Sequence, residues 1–365
     1  MSIQFKRLCA DDIIENIDYF KNCALNLSDY SAAFKIMWQD YFTEYFALVH
    51  NCLVFMEYYQ GRTYFYYPLS MGSAEDEAAA LDEIERYCRE NNVRLHYTSV
   101  PSEKLCAMVK RYGAELRMNN KRRWRDYLYN AQDFVTYGGK KFSGQRNHVN
   151  KFKKLYPQFE FCELNGSNRD EILEFLKEFE RRQLDKGTTI AREELQSVFK
   201  LTDYIDEFAL KAGGIRVDGK LVSYSVGEVC GDQLIIHVEK ALTQYEGIYA
   251  TTAHEFAKHY VTDAIAYINR EDDSGDAGLR KSKLQYNPIE LVDKYTLLPH
   301  RAIDGVSHLP SIACDRIEIR EITDINANEF YRLEYDVARN RYWGYNWREH
   351  FSGEPTPEYF MRGIR

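Results

Sequence analysis

Apolar residues recur along the chain at two spacings, and the change from one to the other marks out its elements. Ile13, Ile14, Ile17 and Phe20 return at helical intervals, as do Phe34, Met37, Trp38 and Phe42, so residues 1–44 read as helices. Residues 47–59 and 63–68 are dense in Val, Leu, Phe and Tyr and flank Gln60-Gly61-Arg62, the pattern of a hairpin. A helix follows over 74–90, with Ala80, Ile84 and Tyr87 on one side and acids in its first turns. Next come a strand over 93–100, a short helix over 105–112 closed by Gly113, and a strand over 124–129. The second half opens with a helix from about residue 144 to Tyr156, stopped by Pro157 and given Ser143 as its N-cap. Residues 170–185, 192–199 and 202–210 continue as helical segments. Then the period drops to two. Strands over 214–217, 221–229 and 234–241 are joined by Asp218-Gly219 and by Cys230-Gly231-Asp232. A helix over 249–261, a strand over 264–270, an acidic loop over 271–278, a helix over 279–284 and a strand near 291–297 complete the run. The order predicts an α+β protein with mixed, mostly antiparallel sheets.

Charge changes this picture at one place. The chain carries a formal net charge of -8, yet no acidic residue lies between Asp133 and Glu160. That gap holds Lys140, Lys141, Arg146, Lys151, Lys153, Lys154 and His148. On the helix there, Val149, Phe152 and Tyr156 form an apolar side, while Arg146, Asn150 and Lys154 line another at four-residue intervals. A local reversal of sign in an acidic chain points to an anionic partner; the plainer reading is a solvated charged face.

Composition narrows the class. At 365 residues, with 45% hydrophobic and 28% charged residues, the chain reads as a globular protein of two or more domains. Its eight cysteines are scattered, without a C-x-x-C pair or zinc-ligand spacing, and are expected to be reduced in a cytoplasmic protein. The N-terminus lacks an apolar signal-peptide core. The greasiest stretch, 45–59, is interrupted by His50, Asn51 and Glu57, so any membrane role is expected to be peripheral.

Two runs carry a resemblance. Gly139-Lys-Lys-Phe-Ser-Gly-Gln-Arg-Asn-His-Val-Asn-Lys-Phe152 and Asn269-Arg-Glu-Asp-Asp-Ser-Gly-Asp-Ala-Gly-Leu-Arg-Lys-Ser-Lys-Leu-Gln-Tyr-Asn-Pro288 resemble an uncharacterised bacterial family. That family is related to the C-terminal catalytic domain of phosphatidylglycerol lysyltransferases. The resemblance implies two tandem GNAT-like (acyl-CoA N-acyltransferase-like) domains, and the element order of the second half is that of a GNAT-type acyltransferase. The expected division is an N-terminal GNAT-like domain over 1–134 and a second over 135–301. A linker over 302–314 and a short C-terminal α/β segment over 315–365, similar to an incomplete GNAT domain, follow. The implied activity is transfer of an amino acid from aminoacyl-tRNA to a lipid head group or a small-molecule amine or hydroxyl, with no further cofactor. Expected partners are the aminoacyl-tRNA acceptor end or another phosphate-bearing ligand, with peripheral lipid contact and no transmembrane segment.

Acyl transfer needs aligned reactants, a proton acceptor and a stabilised oxyanion. By the resemblance, Lys283 matches a pocket lysine that binds terminal phosphate or oxyanion, and Glu239 a strand-borne acid for an α-ammonium or a proton; ordinary surface roles stay open for both. Glu271, Asp272, Asp273 and Asp276 form an acidic loop behind a strand end, suited to holding an amine. Its spacing does not fit an EF-hand, and Asp276 also reads as a helix-start acid. We take Lys283, Glu239 and Asp272 as candidate catalytic residues. Arg280, Tyr286, Glu271, Arg146, Asn147, Asn150 and Lys151 are candidate substrate-binding residues, Arg146 through the fork a guanidinium offers to phosphate. Gly247, in Gln244-Tyr-Glu-Gly-Ile-Tyr249, resembles the pyrophosphate loop of acetyl-CoA-using GNAT enzymes. Tyr249 stands where a small residue is expected, which leaves acetyl-CoA as the alternative donor. No metal is assigned.

Overall fold

The computed structural model describes residues 3–23, 25–113, 116–184, 191–299, 312–314 and 317–319. Residues Met1–Ile303 form one compact unit and Asp304–Arg365 a second. Within the second, the described residues form the strands Ile312–Cys314 and Ile317–Ile319, which pair antiparallel. The rest of the expected linker and C-terminal segment lies outside the described residues.

The first unit opens with β1 (Lys6–Arg7), α1 (Ala10–Glu15), α2 (Ile17–Lys21) and α3 (Ala32–Trp38). Ser31 caps α3 by accepting the Phe34 N–H. The stretch 47–59, expected as one strand, is two: β2 (Glu44–Val49) and β3 (Cys52–Tyr59). His50 and Asn51 turn the chain between them with φ of 48° and 54°, left-handed values that suit a two-residue hairpin. The polar pair His50-Asn51 marks that turn in the sequence, but with no glycine there the apolar runs on either side read as one strand. β4 (Arg62–Tyr66), β5 (Leu69–Ser70), α4 (Ala74–Asn91), β6 (Tyr97–Pro101), α5 (Leu105–Tyr112) and β7 (Arg117–Asn119) follow. A capping box of Ser73 and Asp76 starts α4, and Asn92 ends it at φ 53°.

Next come β8 (Asp126–Asn130), α6 (Ala131–Thr136), α7 (Ser143–Leu155), β9 (Glu160–Leu164), α8 (Arg169–Leu184) and α9 (Ala191–Thr202). Residue Phe142, not Ser143, sits at the α7 N-cap, and no side chain bonds there. Residues 203–209 form hydrogen-bonded turns where a helix was expected. The remaining elements are β10 (Lys211–Val217), β11 (Lys220–Cys230), β12 (Gln233–Ala241), α10 (Ile248–Tyr260), β13 (Tyr267–Asn269), α11 (Ala277–Leu284), β14 (Glu290–Val292) and β15 (Lys294–Leu298).

Two mixed sheets result. The first has the order β1-β2-β3-β4-β6-β15-β7, with β5 on β3, and the second β14-β8-β13-β12-β11-β10-β9. The stretch expected as one strand near 291–297 is therefore two strands in different sheets. The boundary expected after residue 134 is crossed as well, because β8 pairs in the second sheet and β15 in the first. The crossings lie side by side: Arg125 Nε meets Asp293 Oδ1 at 2.8 Å, and Lys294 Nζ meets Asp126 Oδ1 at 2.7 Å. Helix α10 packs on the second sheet and on α6 and α7. Ala250, Ala253 and Ala257 let it approach closely, over a core that includes Tyr129, Phe134, Phe256 and Ile268. Each large side chain buried there contributes about 1.5–3 kcal/mol.

Candidate functional site

Strands β12 and β13 run parallel but pair through only three registers, Gln233↔Tyr267, Leu234↔Ile268 and Ile235↔Asn269. Beyond them the strands splay. β12 continues to Ala241 on β11, while the chain after β13 turns toward β8, with Arg270 N–H donating to the Tyr127 carbonyl at 3.0 Å. Glu271 then adopts φ 55° and Ser274 φ 47°, uncommon for side-chain-bearing residues. Asn269, fully buried, holds this bend through its Oδ1, which accepts the Glu271 N–H at 2.8 Å.

The splay is filled by Arg270 and Glu239. The carboxylate Oε2 accepts from Arg270 Nε at 2.8 Å and from Nη2 at 2.5 Å. The guanidinium lies 4.5 Å from the Tyr286 ring centre, and Tyr286 stacks on Phe134 at 5.2 Å and 8°. Burial opposes the Arg270 charge, but Glu239 outweighs it and keeps the guanidinium firmly protonated. Arg270 is 8% exposed, and its Nη1 is buried with no hydrogen-bond partner. Both residues line a narrow cleft with Ser225, Ile236, Ala253 and Phe256. A buried donor left unpaired costs about 1–3 kcal/mol, so this guanidinium edge can take an acceptor in the cleft. No described residue bonds Glu239 Oε1.

Beside this pair, His237 is buried between two carboxylates. Its Nδ1 donates to Glu271 Oε1 at 2.8 Å, and its Nε2 lies 3.5 Å from Glu228 Oε2. Burial works against the imidazolium, yet Glu228 and Glu271 more than offset it and hold its pKa at about 9. Glu228 in turn accepts the Ala32 and Ala33 N–H groups at the start of α3, tying the site to the first half.

The remaining sequence candidates are distributed as follows. Lys283 is not a free surface cation: it is 6% exposed, and its Nζ donates to the carbonyls of Arg270 and Asp272. Burial pulls its pKa down, opposed by Glu271 and Asp272. It therefore clamps the bend behind β13. Asp272 accepts from Ser274 N–H at 2.8 Å and Oγ at 3.0 Å, and its other oxygen lies 3.8 Å from Lys294 Nζ. Burial pushes its pKa up to about 6, against the pull of Lys294. Arg280 is committed to Asp273 through two bonds of 2.8 Å, so its fork is not open to phosphate. Tyr286 is buried under Arg270, and Glu271 is the partner of His237.

The basic stretch is partly neutralised from outside its own sequence. Lys141 pairs with Asp133, Lys151 with Glu246 and Lys153 with Glu255. Arg146 Nη1 donates to the Tyr137 and Gly139 carbonyls, capping the end of α6. Asn147 and Asn150 are exposed on α7. The helix does reach the site: Gln145 Nε2 donates to the Gln285 carbonyl at 2.7 Å, just beyond Lys283. Gly247 has φ 88°, and a Cβ there would collide with the His148 carbonyl of α7. Its glycine serves helix packing. Sequence reasoning missed Arg270 and His237. Arg270 immediately follows a strand end and was legible by position, but the acids behind it drew the reading away.

The family model described as phosphatidylglycerol lysyltransferase, C-terminal, matches residues 20–298. A conserved protein of unknown function from Bacteroides thetaiotaomicron is 27% identical and superimposes with a TM-score of 0.73, covering 81% of this chain and 99% of that one. The C-terminal domain of a putative lysylphosphatidylglycerol synthetase from Agrobacterium fabrum gives a TM-score of 0.60 at 14% identity, covering 80% and 93%. L-PGS from Bacillus licheniformis gives 0.55 at 13%, covering 79% and 92%; these two likenesses show the fold. An uncharacterised protein of Mycoplasmoides gallisepticum is 27% identical over 177 residues, 47% of this chain, and the chain spans 54% of that relative's length. Among the described residues, no helix is long and apolar enough to cross a membrane.

Proposed function

The chain belongs to the phosphatidylglycerol lysyltransferase C-terminal family, and from that premise we propose that it moves an amino acid from aminoacyl-tRNA to a lipid head group or a small-molecule amine or hydroxyl. The observation that carries this reading is the unpartnered, buried Arg270 Nη1 beside Glu239 in the β12–β13 splay. An aminoacyl ester brings a cationic α-ammonium next to a carbonyl. Glu239, with Oε1 unbonded, suits the ammonium. Arg270 Nη1 suits the carbonyl oxygen, whose charge grows as the acceptor attacks. The new bond joins the acceptor nitrogen or oxygen to the carbonyl carbon. The bond to the ribose oxygen breaks, and that oxygen takes up the proton the acceptor gives up. The unpaired edge of β12 beyond Ile235 adds backbone groups along which an acyl chain can lie.

The commitment of Gly247 to packing against α7 weighs against a pyrophosphate cradle at that loop, and so against acyl-CoA as donor. The test is transfer of radiolabel from a mixture of charged tRNAs into lipid or small-molecule acceptors by the full chain. Accelerated loss of label from tRNA into an acceptor is expected, slowed roughly 10–10²-fold in Glu239→Gln by the loss of one charge-assisted contact to the ammonium. Label moving from acetyl-CoA and not from tRNA would overturn the reading.

A further inference from the structure

The chain passes from the first sheet to the second through residues 117–125, Arg-Met-Asn-Asn-Lys-Arg-Arg-Trp-Arg, a run with five cations and no acid. Two of these cations are spent internally. Arg125 pairs with Asp293 at 2.8 Å, and Arg122 Nη1 donates to Asp273 Oδ2 at 2.8 Å. Among the described residues, no carboxylate pairs with Arg117, Lys121 or Arg123, and all three are exposed. Two apolar surfaces lie among them, Trp124 at 37% exposure and Met118 at 51%. The Arg123 guanidinium stands 4.7 Å from the Trp124 ring centre. β7 is the last strand of its sheet, paired on one side with β15. Its other edge leaves backbone donors and acceptors facing outward.

We propose that this ribbon, Arg117 to Trp124, holds the single-stranded 3′ end of the donor RNA; the inference rests on the aminoacyl-tRNA reading above. Unpaired cations at intervals suit a phosphate backbone, and an exposed indole beside a guanidinium suits a stacked base. A sheet edge with open hydrogen-bonding groups adds contacts that a strand of bases can use and a bilayer cannot. The ribbon is also anchored to the site. Arg122 bonds both Tyr127 Oη, at 3.1 Å, and Asp273, and Tyr127 Oη donates to the same carboxylate at 2.6 Å. The Arg123 stem lies over Gly275. Asp273 and Gly275 belong to the loop that leaves Arg270. An RNA end on the ribbon therefore rests against the loop whose first residue lines the cleft. In a chain of net charge -8 this local surplus also gives the RNA a preferred approach.

The test measures fluorescence anisotropy of the full chain with a 5′-labelled acceptor-stem hairpin that ends in a four-nucleotide 3′ single strand. The same hairpin without the overhang and phosphatidylglycerol vesicles serve as companion probes. Trp124→Ala is expected to weaken overhang binding about tenfold with an unchanged salt slope. Lys121→Ala with Arg123→Ala is expected to weaken it and to reduce the slope of log affinity against log salt by about 0.7 per lost phosphate contact. The blunt hairpin should bind every variant as it binds the wild type. Glu239→Gln, which lies in the cleft, should keep full affinity for the overhang while losing transfer. The inference is overturned if the wild type does not distinguish overhang from blunt hairpin, or if the ribbon variants bind the overhang normally. It is equally overturned if those variants lose vesicle binding while keeping RNA. Normal RNA binding by the ribbon variants in a chain that does transfer aminoacyl groups would sink the ribbon and leave the proposed function standing. Ribbon-dependent RNA binding without transfer would do the reverse.

Discussion

Lys283 shows how a candidate residue's partners escape a reading of the sequence. The sequence brings it near the acidic loop, and the structure places it there. Its ammonium, though, is spent on the backbone carbonyls of Arg270 and Asp272. Lys283→Met should therefore act on folding, because each orphaned carbonyl costs about 1–3 kcal/mol. The urea midpoint is expected to fall. An unchanged midpoint with transfer abolished would instead put Lys283 on the substrate. Gly247 carries the same lesson. Both its left-handed φ and its contact with His148 require glycine, so Gly247→Ala is expected to lower stability by about 1–3 kcal/mol in a denaturant titration. A stable Gly247→Ala protein with altered acetyl-CoA binding would return the loop to the role first read for it. Glu239, singled out by the resemblance, has a partner in Arg270. That partner could not be read from spacing, because 31 residues separate the two and the splay that joins them is a tertiary feature.

At the scale of elements, periodicity found most helices and the β10–β11–β12 meander, whose turns carry Gly219 and Gly231. It failed at the glycine-free turn between β2 and β3, and where a short segment serves two sheets. β14 and β15 read as one strand because nothing local separates them except Asp293. The exchange of β8 and β15 makes the two halves of the first unit depend on each other, and Lys294 is its clasp. Its ammonium pairs with Asp29, ahead of α3, and with Asp126 of β8 in the second sheet, and lies 3.8 Å from Asp272 of the site loop. Lys294→Met would leave these carboxylates buried without compensation, at a cost of about 3–5 kcal/mol. Thermal unfolding should shift down as a single transition. Two separated transitions, one unchanged, would show that the halves fold independently and that the clasp holds little.

For the whole molecule, the basic stretch was legible as an anomaly of charge, but its partial neutralisation was not, since the acids arrive from α6, α10 and the loop before α10. Further cations without a carboxylate partner among the described residues lie in the crossover at 117–125. The buried charges also set a dependence on pH. His237 is held at about 9 against an ordinary 6.5, and burial together with Glu44 pushes Glu57 up to about 8 from 4.5, against the pull of Lys35. Both groups hold protons in the folded chain that the unfolded chain has already released. Their contribution is fully present below the unfolded pKa and is lost as pH rises through the folded one. Tm is expected to fall between pH 6.5 and 9, and Glu57→Gln should remove the part of the slope that ends near pH 8. A Tm that rises over this range would contradict the assignment of both protons.

Whether the gap between β12 and β13 receives the aminoacyl group is decided by a crystal structure of the full chain with a non-hydrolysable aminoacyl-adenosine amide. The account expects the ligand carbonyl within hydrogen-bond distance of Arg270 Nη1 and its ammonium on Glu239. Ligand density elsewhere, with Arg270 Nη1 still unpaired and the gap closed, would contradict it.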